Sequence, residues 1–242
     1  MKLTASKLSK PGGRKVNEDY ADYCLLDRFG CYLMADGLGG HRGGDIASKA
    51  VVDNIINSFK ASPGASTEIL KNYLQNAACL IDKIRSSEGQ ESSLKTTLVA
   101  VLTGGNVACW AHIGDSRLYL FRSGKLCFQT RDHSVPQHLA DSGSISADQI
   151  RFHEDRNRLT ASFDSSNFDK IRYSDNELQL QPGDRFLLCS DGFWEYVYES
   201  EMEACLDQSK TVDSWLKNME NILHEKADEG HDNYSALAIN VS

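Results

Sequence analysis

The sequence predicts an α+β fold built on antiparallel sheet, and three observations predict it. Residues 96–130 alternate apolar runs with glycine-containing turns, so neighbouring strands are joined by short links and not by crossover helices. Apolar stripes at helical spacing mark two successive helices near residues 44–59 and 67–85, and a third near 212–227. Two apolar runs, Tyr32–Ala35 and Phe186–Cys189, lead into the pairs Asp36-Gly37 and Asp191-Gly192. A core strand would not choose a carboxylate for packing, so each pair marks the place where a buried strand reaches the rim of a sheet.

Taken in order, Pro11-Gly12-Gly13 forms a turn ahead of Arg14-Lys-Val-Asn17-Glu18-Asp19. Strands over Tyr20–Leu26 and Cys31–Ala35 flank Asp27-Arg-Phe-Gly30, which reads as a hairpin with glycine at the turn. Gly37, Gly39 and Gly40 leave the backbone free to take positive φ and to approach a ligand. The first helix presents Ile46, Ala47, Ala50, Val51, Ile55 and Phe59 on one face, and Pro63-Gly64 ends it. The second presents Ile69, Leu70, Tyr73, Leu74, Ala77, Leu80, Ile81 and Ile84.

A meander follows: Thr96–Thr103, Val107–Ile113, Arg117–Phe121 and Leu126–Thr130, turned by Gly104-Gly105, Gly114-Asp115-Ser116 and Ser123-Gly124-Lys125. Residues 132–176 are polar and irregular, with short helical signals near Val135–Leu139 and Ala147–Ile150. A segment that long without periodicity is expected to be functional, and residues 140–153 are expected to form a mobile flap. The strand Arg185–Cys189, a helix over Val212–Ala227 with Thr211 as N-cap, and the strand Tyr234–Val241 complete the chain. No linker or repeat divides it, so residues 1–242 are expected to form one domain.

Composition narrows the function classes. A net charge of −8 opposes binding to nucleic acid or anionic membranes, which needs a basic face. No apolar run is long enough to span a bilayer, and Met1-Lys-Leu-Thr-Ala-Ser-Lys lacks the apolar core of a signal peptide. The 7 cysteines are scattered without a C-x-x-C pair, which reads as reduced thiols in a cytoplasmic protein and not as a zinc ribbon.

The chemistry lies in the acids Glu18, Asp19, Asp36, Asp115, Asp191 and Asp232, each at a strand end or turn beside Gly or Asn or beside another of the set. If the fold gathers them, their mutual repulsion demands a counter-charge. An all-oxygen donor set favours Mg²⁺ or Mn²⁺ over zinc. Two other readings fail on local pattern. Cys79-x₅-Arg85 matches the letters of a cysteine phosphatase but sits inside the second helix without glycines. The glycines after Asp36 miss the dinucleotide spacing by one position.

In order, Arg14-x-x-Asn17-Glu18-Asp19, Asp36-Gly37-x-Gly39-Gly40-His41, Thr96-Thr97, Gly114-Asp115-Ser116-Arg117, Asp132-His133-Ser134, Ser190-Asp191-Gly192 and Asp232-Asn233 resemble the metal-dependent serine/threonine protein phosphatases of the type 2C class, bacterial members above all. The resemblance runs from residue 14 to the C-terminus. It implies a four-layer α-β-β-α sandwich, two antiparallel sheets flanked by helix pairs. It also implies two Mn²⁺ or Mg²⁺ ions, with a third, weaker ion. Asp36 would bridge the two, the Gly37 carbonyl would bind one, and Asp191 and Asp232 would complete a shell. Glu18 and Asp19 would act mainly through metal-bound water, and Asp115 with Asp191 would hold the third ion. Arg14 would bind substrate phosphate.

The reaction so implied is one-step attack of a metal-bridging hydroxide on phosphoserine or phosphothreonine, with no phosphoenzyme. Partners would be phosphoproteins and a cognate serine/threonine kinase, and the protein is expected to act as a cytoplasmic monomer. The alternative is a catalytically weak phosphoprotein-binding signalling module on the same fold. Two positions depart from the family pattern: Leu38 stands where some members carry a histidine acid, and Lys95 stands where glycine is usual. His41, His133, His153 and His231 are the remaining candidates for a proton donor to the leaving group.

Overall fold

The architecture follows from which face each strand residue takes. In the computed structural model, which describes residues 1–38, 43–88 and 94–242, β3 (Phe29–Leu38) is buried on both sides. Its alternate residues Tyr32 and Met34 face one core, and Cys31, Leu33 and Ala35 face another. A sheet with two apolar faces must be covered twice. Here a second sheet covers one face and a helix pair the other.

The first sheet runs β10 (Leu178–Gln179), β6 (Val107–Ile113), β5 (Leu98–Gly104), β3, β2 (Asp19–Leu26), with β4 (Lys95–Thr96) on β3 and β9 (Arg172–Tyr173) on β6. The second runs β1 (Leu3–Lys10), β12 (Tyr234–Val241), β11 (Arg185–Cys189), β7 (Arg117–Arg122), β8 (Lys125–Gln129). Every strand pairing is antiparallel. Between the sheets lie Tyr32, Met34, Val99, Val101, Leu118, Leu120, Phe186, Leu188, Leu237 and Ile239, each essentially inaccessible to solvent. Each such aliphatic or aromatic side chain contributes roughly 1.5–3 kcal/mol.

The outer face of the first sheet packs on α1 (Gly44–Ala61) and α2 (Thr67–Glu88), which bury Val51, Ile55, Phe59, Leu74 and Ile81. The outer face of the second packs on α4 (Asp191–Trp194), α5 (Glu199–Asp207) and α6 (Val212–Lys226), with Trp194, Met202, Trp215 and Met219 at its centre. The four-layer sandwich of two antiparallel sheets between helices is therefore as the resemblance implied. The segment after β8 carries α3 (Val135–Asp141), capped by the Ser134 side chain on the Gln137 N–H, and 3₁₀ turns at Ala147–Phe152 and Ser165–Lys170.

Two local readings are corrected. Gly30 is not the hairpin turn: it pairs with Leu25 inside the ladder, and Asp27 takes the positive φ of 52°. A side chain at position 30 would strike Tyr32 and Thr103, so Gly30 serves close packing. Gly37 does not take positive φ either, and β3 continues through it to Leu38. Its missing Cβ lets the β3 backbone touch the Gly44 backbone at the start of α1. Gly39, Gly40 and His41 lie outside the described residues. The strand β1 and the helix α5 have no counterpart in the sequence reading.

Candidate metal centre

The site forms where β2, β3, the β6–β7 turn, α4 and the approach to β12 meet. Asp19 and Asp36 are direct partners across the β2–β3 ladder, so two carboxylates stand side by side from the start. Three bonds clamp the Asp36 backbone: its N–H donates to Thr97 Oγ1 (3.0 Å), and its carbonyl accepts from the Thr97 N–H (2.8 Å) and from Thr96 Oγ1 (2.8 Å). Thr97 Oγ1 also bonds Ser116 Oγ (2.7 Å), tying β3 to the turn that carries Asp115. These bonds give the Thr96-Thr97 motif its physical role.

Asp191 is the first residue of α4, and its side chain accepts from the Gly192 N–H (2.6 Å). Ser190 precedes it and donates from Oγ to Asp19 Oδ2 (2.6 Å) while accepting from the Ser235 N–H (3.0 Å). Trp194, at the other end of α4, donates Nε1–H to the Asp115 carbonyl (2.9 Å), and Arg117 stacks on its ring at 3.4 Å. Arg117 is itself held by a buried fork to Asp132, at 2.9 and 2.7 Å. Asn233 closes the far side. Its Oδ1 accepts from the Glu18 N–H (2.8 Å), and its Nδ2 donates to the carbonyls of Pro11 and Val16 (both 2.9 Å).

Glu18, Asp19, Asp36, Asp115, Asp191 and Asp232 line a single cavity of ≈ 180 Å³ with Gly37, Leu38, Asn157, Leu159 and Asn233. Among the described residues no lysine, arginine or histidine lines that cavity. Nor do any three of its ligand-type side chains already close around a common point among the described residues. Larger cavities lie elsewhere, one of ≈ 660 Å³ beside Arg117 and Arg151, but none of these six acids lines it.

The electrostatics record the crowding. Burial pushes Asp36 well above the usual carboxylate range, and Asp19, Asp191, Asp115 and Asp232 push it further. Asp115 is raised for the same reason, burial first and then Asp191. Asp191 is raised by burial and by Asp232, with the Gly192 N–H opposing. Burial lifts Asp19 to about 7 although the Ser190 hydroxyl favours its charged form. Glu18 is raised by burial and by Asp45 and Asp232, with Arg14 opposing. One acceptor, Asp19 Oδ1, is buried without any partner. An all-oxygen set, with Glu18, Asp19, Asp36, Asp115 and Asp191 raised and one acceptor unfilled, fits a hard divalent cation.

All the sequence-identified acids are thus brought together. Arg14 is adjacent: it lines a neighbouring cavity of ≈ 310 Å³ and pairs with Asp232 at 2.9 Å, both side chains about half exposed. Of the histidine candidates, His133, His153 and His231 do not line the carboxylate cavity, and His41 lies outside the described residues. His133 accepts the Gly114 N–H at Nδ1 and donates to the Lys170 carbonyl from Nε2, so both nitrogens hold backbone. His153 accepts the Asp155 N–H, and His231 donates to the Asp228 carbonyl from the rim of the neighbouring cavity. Cys79 is exposed on α2, away from any phosphate cradle. Sequence reasoning missed Asn157 and Leu159, which supply a wall just beyond the expected flap at 140–153, and it missed the positioning roles of Ser190 and Trp194. Asn157, Leu159 and Trp194 belong to no motif, and Ser190, though it stands in the Ser190-Asp191-Gly192 motif, bonds a residue 171 positions away, which leaves no local signal.

The family model for protein phosphatase 2C matches residues 12–233 of the chain. The serine/threonine phosphatase stp of Listeria monocytogenes is 31% identical over 214 residues, covering 86% of this chain and 82% of that protein. The serine/threonine protein phosphatase PstP of Mycobacterium tuberculosis is 30% identical over 233 residues, covering 94% of this chain and 43% of that protein. The crystal structure of M. tuberculosis PstP/Ppp matches with a TM-score of 0.86 at 28% identity, over 99% of both chains. The catalytic domain of PstP in complex with 2 manganese ions matches with a TM-score of 0.82 at 27% identity, over 99% of both chains.

Proposed function

Because the chain belongs to the protein phosphatase 2C family, we propose that its carboxylate cavity is a divalent-metal centre that hydrolyses phosphoserine and phosphothreonine monoesters on proteins. The observation that carries this reading is the convergence of six acids on one cavity whose wall, among the described residues, holds no cationic side chain. The enzyme class comes with the family: the chain is a serine/threonine phosphoprotein phosphatase, and its activity is metal-dependent.

Asp36, in charge interaction with Asp19, Asp191 and Asp115, would hold the Mn²⁺ or Mg²⁺ ions together with the Gly37 carbonyl. Asp191 and Asp232 would complete one shell, Glu18 and Asp19 would orient water, and Asp115 with Asp191 would hold a third ion. When bound, the ions supply the positive charge a phosphomonoester dianion needs and acidify water for attack on phosphorus. The chain's own work is positioning. Thr96 and Thr97 fix the Asp36 backbone, Ser190 holds Asp19, and Trp194 holds the Asp115 carbonyl. Arg14 would leave Asp232 to present its planar fork to two phosphate oxygens. Direct hydrolysis, with water and not a side chain as the nucleophile, is the reaction of this reading. The physiological counterpart would be a serine/threonine kinase, acting with this enzyme in the cytoplasm. No described helix is long and apolar enough to cross a membrane.

Chelator-treated protein, assayed with para-nitrophenyl phosphate and a phosphothreonine peptide before and after Mn²⁺ addition, tests the reading. Hydrolysis of both should appear only with the ion. Phosphopeptide binding without hydrolysis at any ion concentration would establish a binding module instead. Arg14→Ala should raise KM for the peptide about tenfold or more, because a charged hydrogen-bond pair to phosphate is lost, while Mn²⁺ affinity stays within a few-fold. The reverse pattern would make Arg14 a metal-site residue.

A further inference from the structure

The chain has 7 cysteines, and the β2–β3 ladder sets two of them face to face. Cys24 and Cys31 are direct antiparallel partners, on the third rung from the Asp27-Arg28 turn. Both side chains pack on the apolar cluster beneath α1 and α2, so the two thiols share one face of the sheet. Directly opposed antiparallel residues have Cα atoms about 4.5–5.5 Å apart, within the span of about 4.4–6.8 Å that a disulfide bridges. Among the described residues no other two cysteines are opposed in this way. Leu102 separates Cys31 from Cys109 across the sheet, Cys79 lies on α2, and Cys127, Cys189 and Cys205 lie in the second sheet and its helices.

The two thiols differ in access. Cys24 is half-buried on β2, the last strand of its sheet, and Cys31 is fully buried. Burial pushes the Cys31 thiol well above its ordinary value, and Cys24 adds to the shift. Cys31 is therefore kept neutral and out of reach of oxidants in solution, while the thiol opposite it is one that solvent reaches. Neither lines the carboxylate cavity. Asp19 and Asp36 stand five rungs along the same ladder, on its other face.

We propose that Cys24 and Cys31 are a reversible thiol–disulfide site, oxidised by hydrogen peroxide and restored by small thiols. The Cys24 sulfur takes one oxygen from the peroxide, giving the sulfenic acid and a water. The Cys31 sulfur then attacks that sulfur, the S–S bond forms, and the hydroxyl leaves with the Cys31 proton as a second water. Each thiol gives up one electron, and the peroxide takes both. Two small thiols reverse the step by exchange and leave as their own disulfide. The product is a covalent rung in the hairpin that carries Asp19 and Asp36. Repulsion between those acids loads the far end of the ladder when no cation is bound. A crosslink between residues 24 and 31 opposes that load, because it removes conformations from the unfolded chain. The site is independent of the phosphatase reading, since neither the bond nor its effect on stability needs turnover.

The test treats chelated, full-length protein with hydrogen peroxide, blocks remaining thiols by alkylation, and maps the monomer by mass spectrometry without reduction. Trypsin cleaves after Arg28, so the peptides that carry Cys24 and Cys31 stay joined only through sulfur. The linked pair should appear with the loss of two hydrogens and should vanish with dithiothreitol. The linked monomer should melt about 5 °C above the reduced one in chelator. Cys31→Ser leaves the Cys24 sulfenic acid without a partner, so Cys24 should go on to the sulfinic acid. Cys24→Ser changes only the half-buried position, and it should keep the reduced fold while losing both the link and the gain in melting temperature. Full alkylation of Cys24 and Cys31 after peroxide, or linkage of Cys24 to any other cysteine or to a second chain, overturns the proposal. So does a linked monomer that melts no higher than the reduced protein.

Discussion

Asp36 shows how function sets itself against stability at one residue. It faces Asp19 across the ladder and lies within the field of Asp191 and Asp115, so its charged form is disfavoured without a counter-ion. Asp36→Asn should therefore stabilise the chelated protein, by about 1 kcal/mol or more, while cutting Mn²⁺-dependent turnover at least about 100-fold. The sign of the pH dependence is fixed. A carboxylate raised in the folded state holds extra protons there, so its favourable contribution is lost as pH rises from the ordinary range, near 4, through the folded value, about 7 for the neighbouring Asp19. The melting-temperature gap between variant and wild type should thus widen across that window, and a gap independent of pH would contradict the assignment. His112 works in the opposite direction. Burial lowers it to about 4, its Nε2–H is held by the Arg131 carbonyl, and its Nδ1 has no partner. The unfolded chain takes up this proton first, so stability should fall as pH drops from about 6.5 to 4, by up to about 3 kcal/mol. His112→Gln should flatten that limb in urea titrations.

Among the elements, the short helix α4 is the joint of the site, since Asp191 opens it, Trp194 ends it and Ser190 precedes it. Ser190→Ala removes the donor to Asp19 and leaves the Ser235 N–H without its hydroxyl partner. The expected cost is about 1–3 kcal/mol in urea denaturation, with weaker Mn²⁺ binding. Unchanged stability and unchanged affinity together would show that the bond positions nothing. The sequence reading found the strands and helices whose apolar pattern is strong: β3, β6, β11, β12, α1, α2 and α6 lie within a few residues of their expected bounds. It missed β1, whose Leu-Thr-Ala-Ser-Lys-Leu-Ser-Lys carries few large apolar residues because it is an edge strand. It passed over α5, where only Met202 and Cys205 are buried, and misplaced Gly30, whose reason is the space taken by Tyr32 and Thr103. The acids were legible because each has Gly, Asn or another acid of the set beside it. Of their supports, Thr96, Thr97, Ser116, Ser190 and Asn233 stood in the motifs without a role, because a hydrogen bond such as that between residues 190 and 19 leaves no local trace.

For the whole molecule, the sandwich brings residues 18 to 232 to one end of two sheets, and the acidic chain must reverse its field locally to accept a dianion. The central claim is that divalent cations do this at the carboxylate cavity. Calorimetric titration of Mn²⁺ into chelator-treated wild type and Asp36→Asn near neutral pH, with para-nitrophenyl phosphate turnover measured on the same samples, tests it most directly. The account predicts saturable binding and turnover that rise together in wild type, and loss of both in Asp36→Asn with the fold intact. Wild-type-like Mn²⁺ affinity and turnover in Asp36→Asn would contradict it.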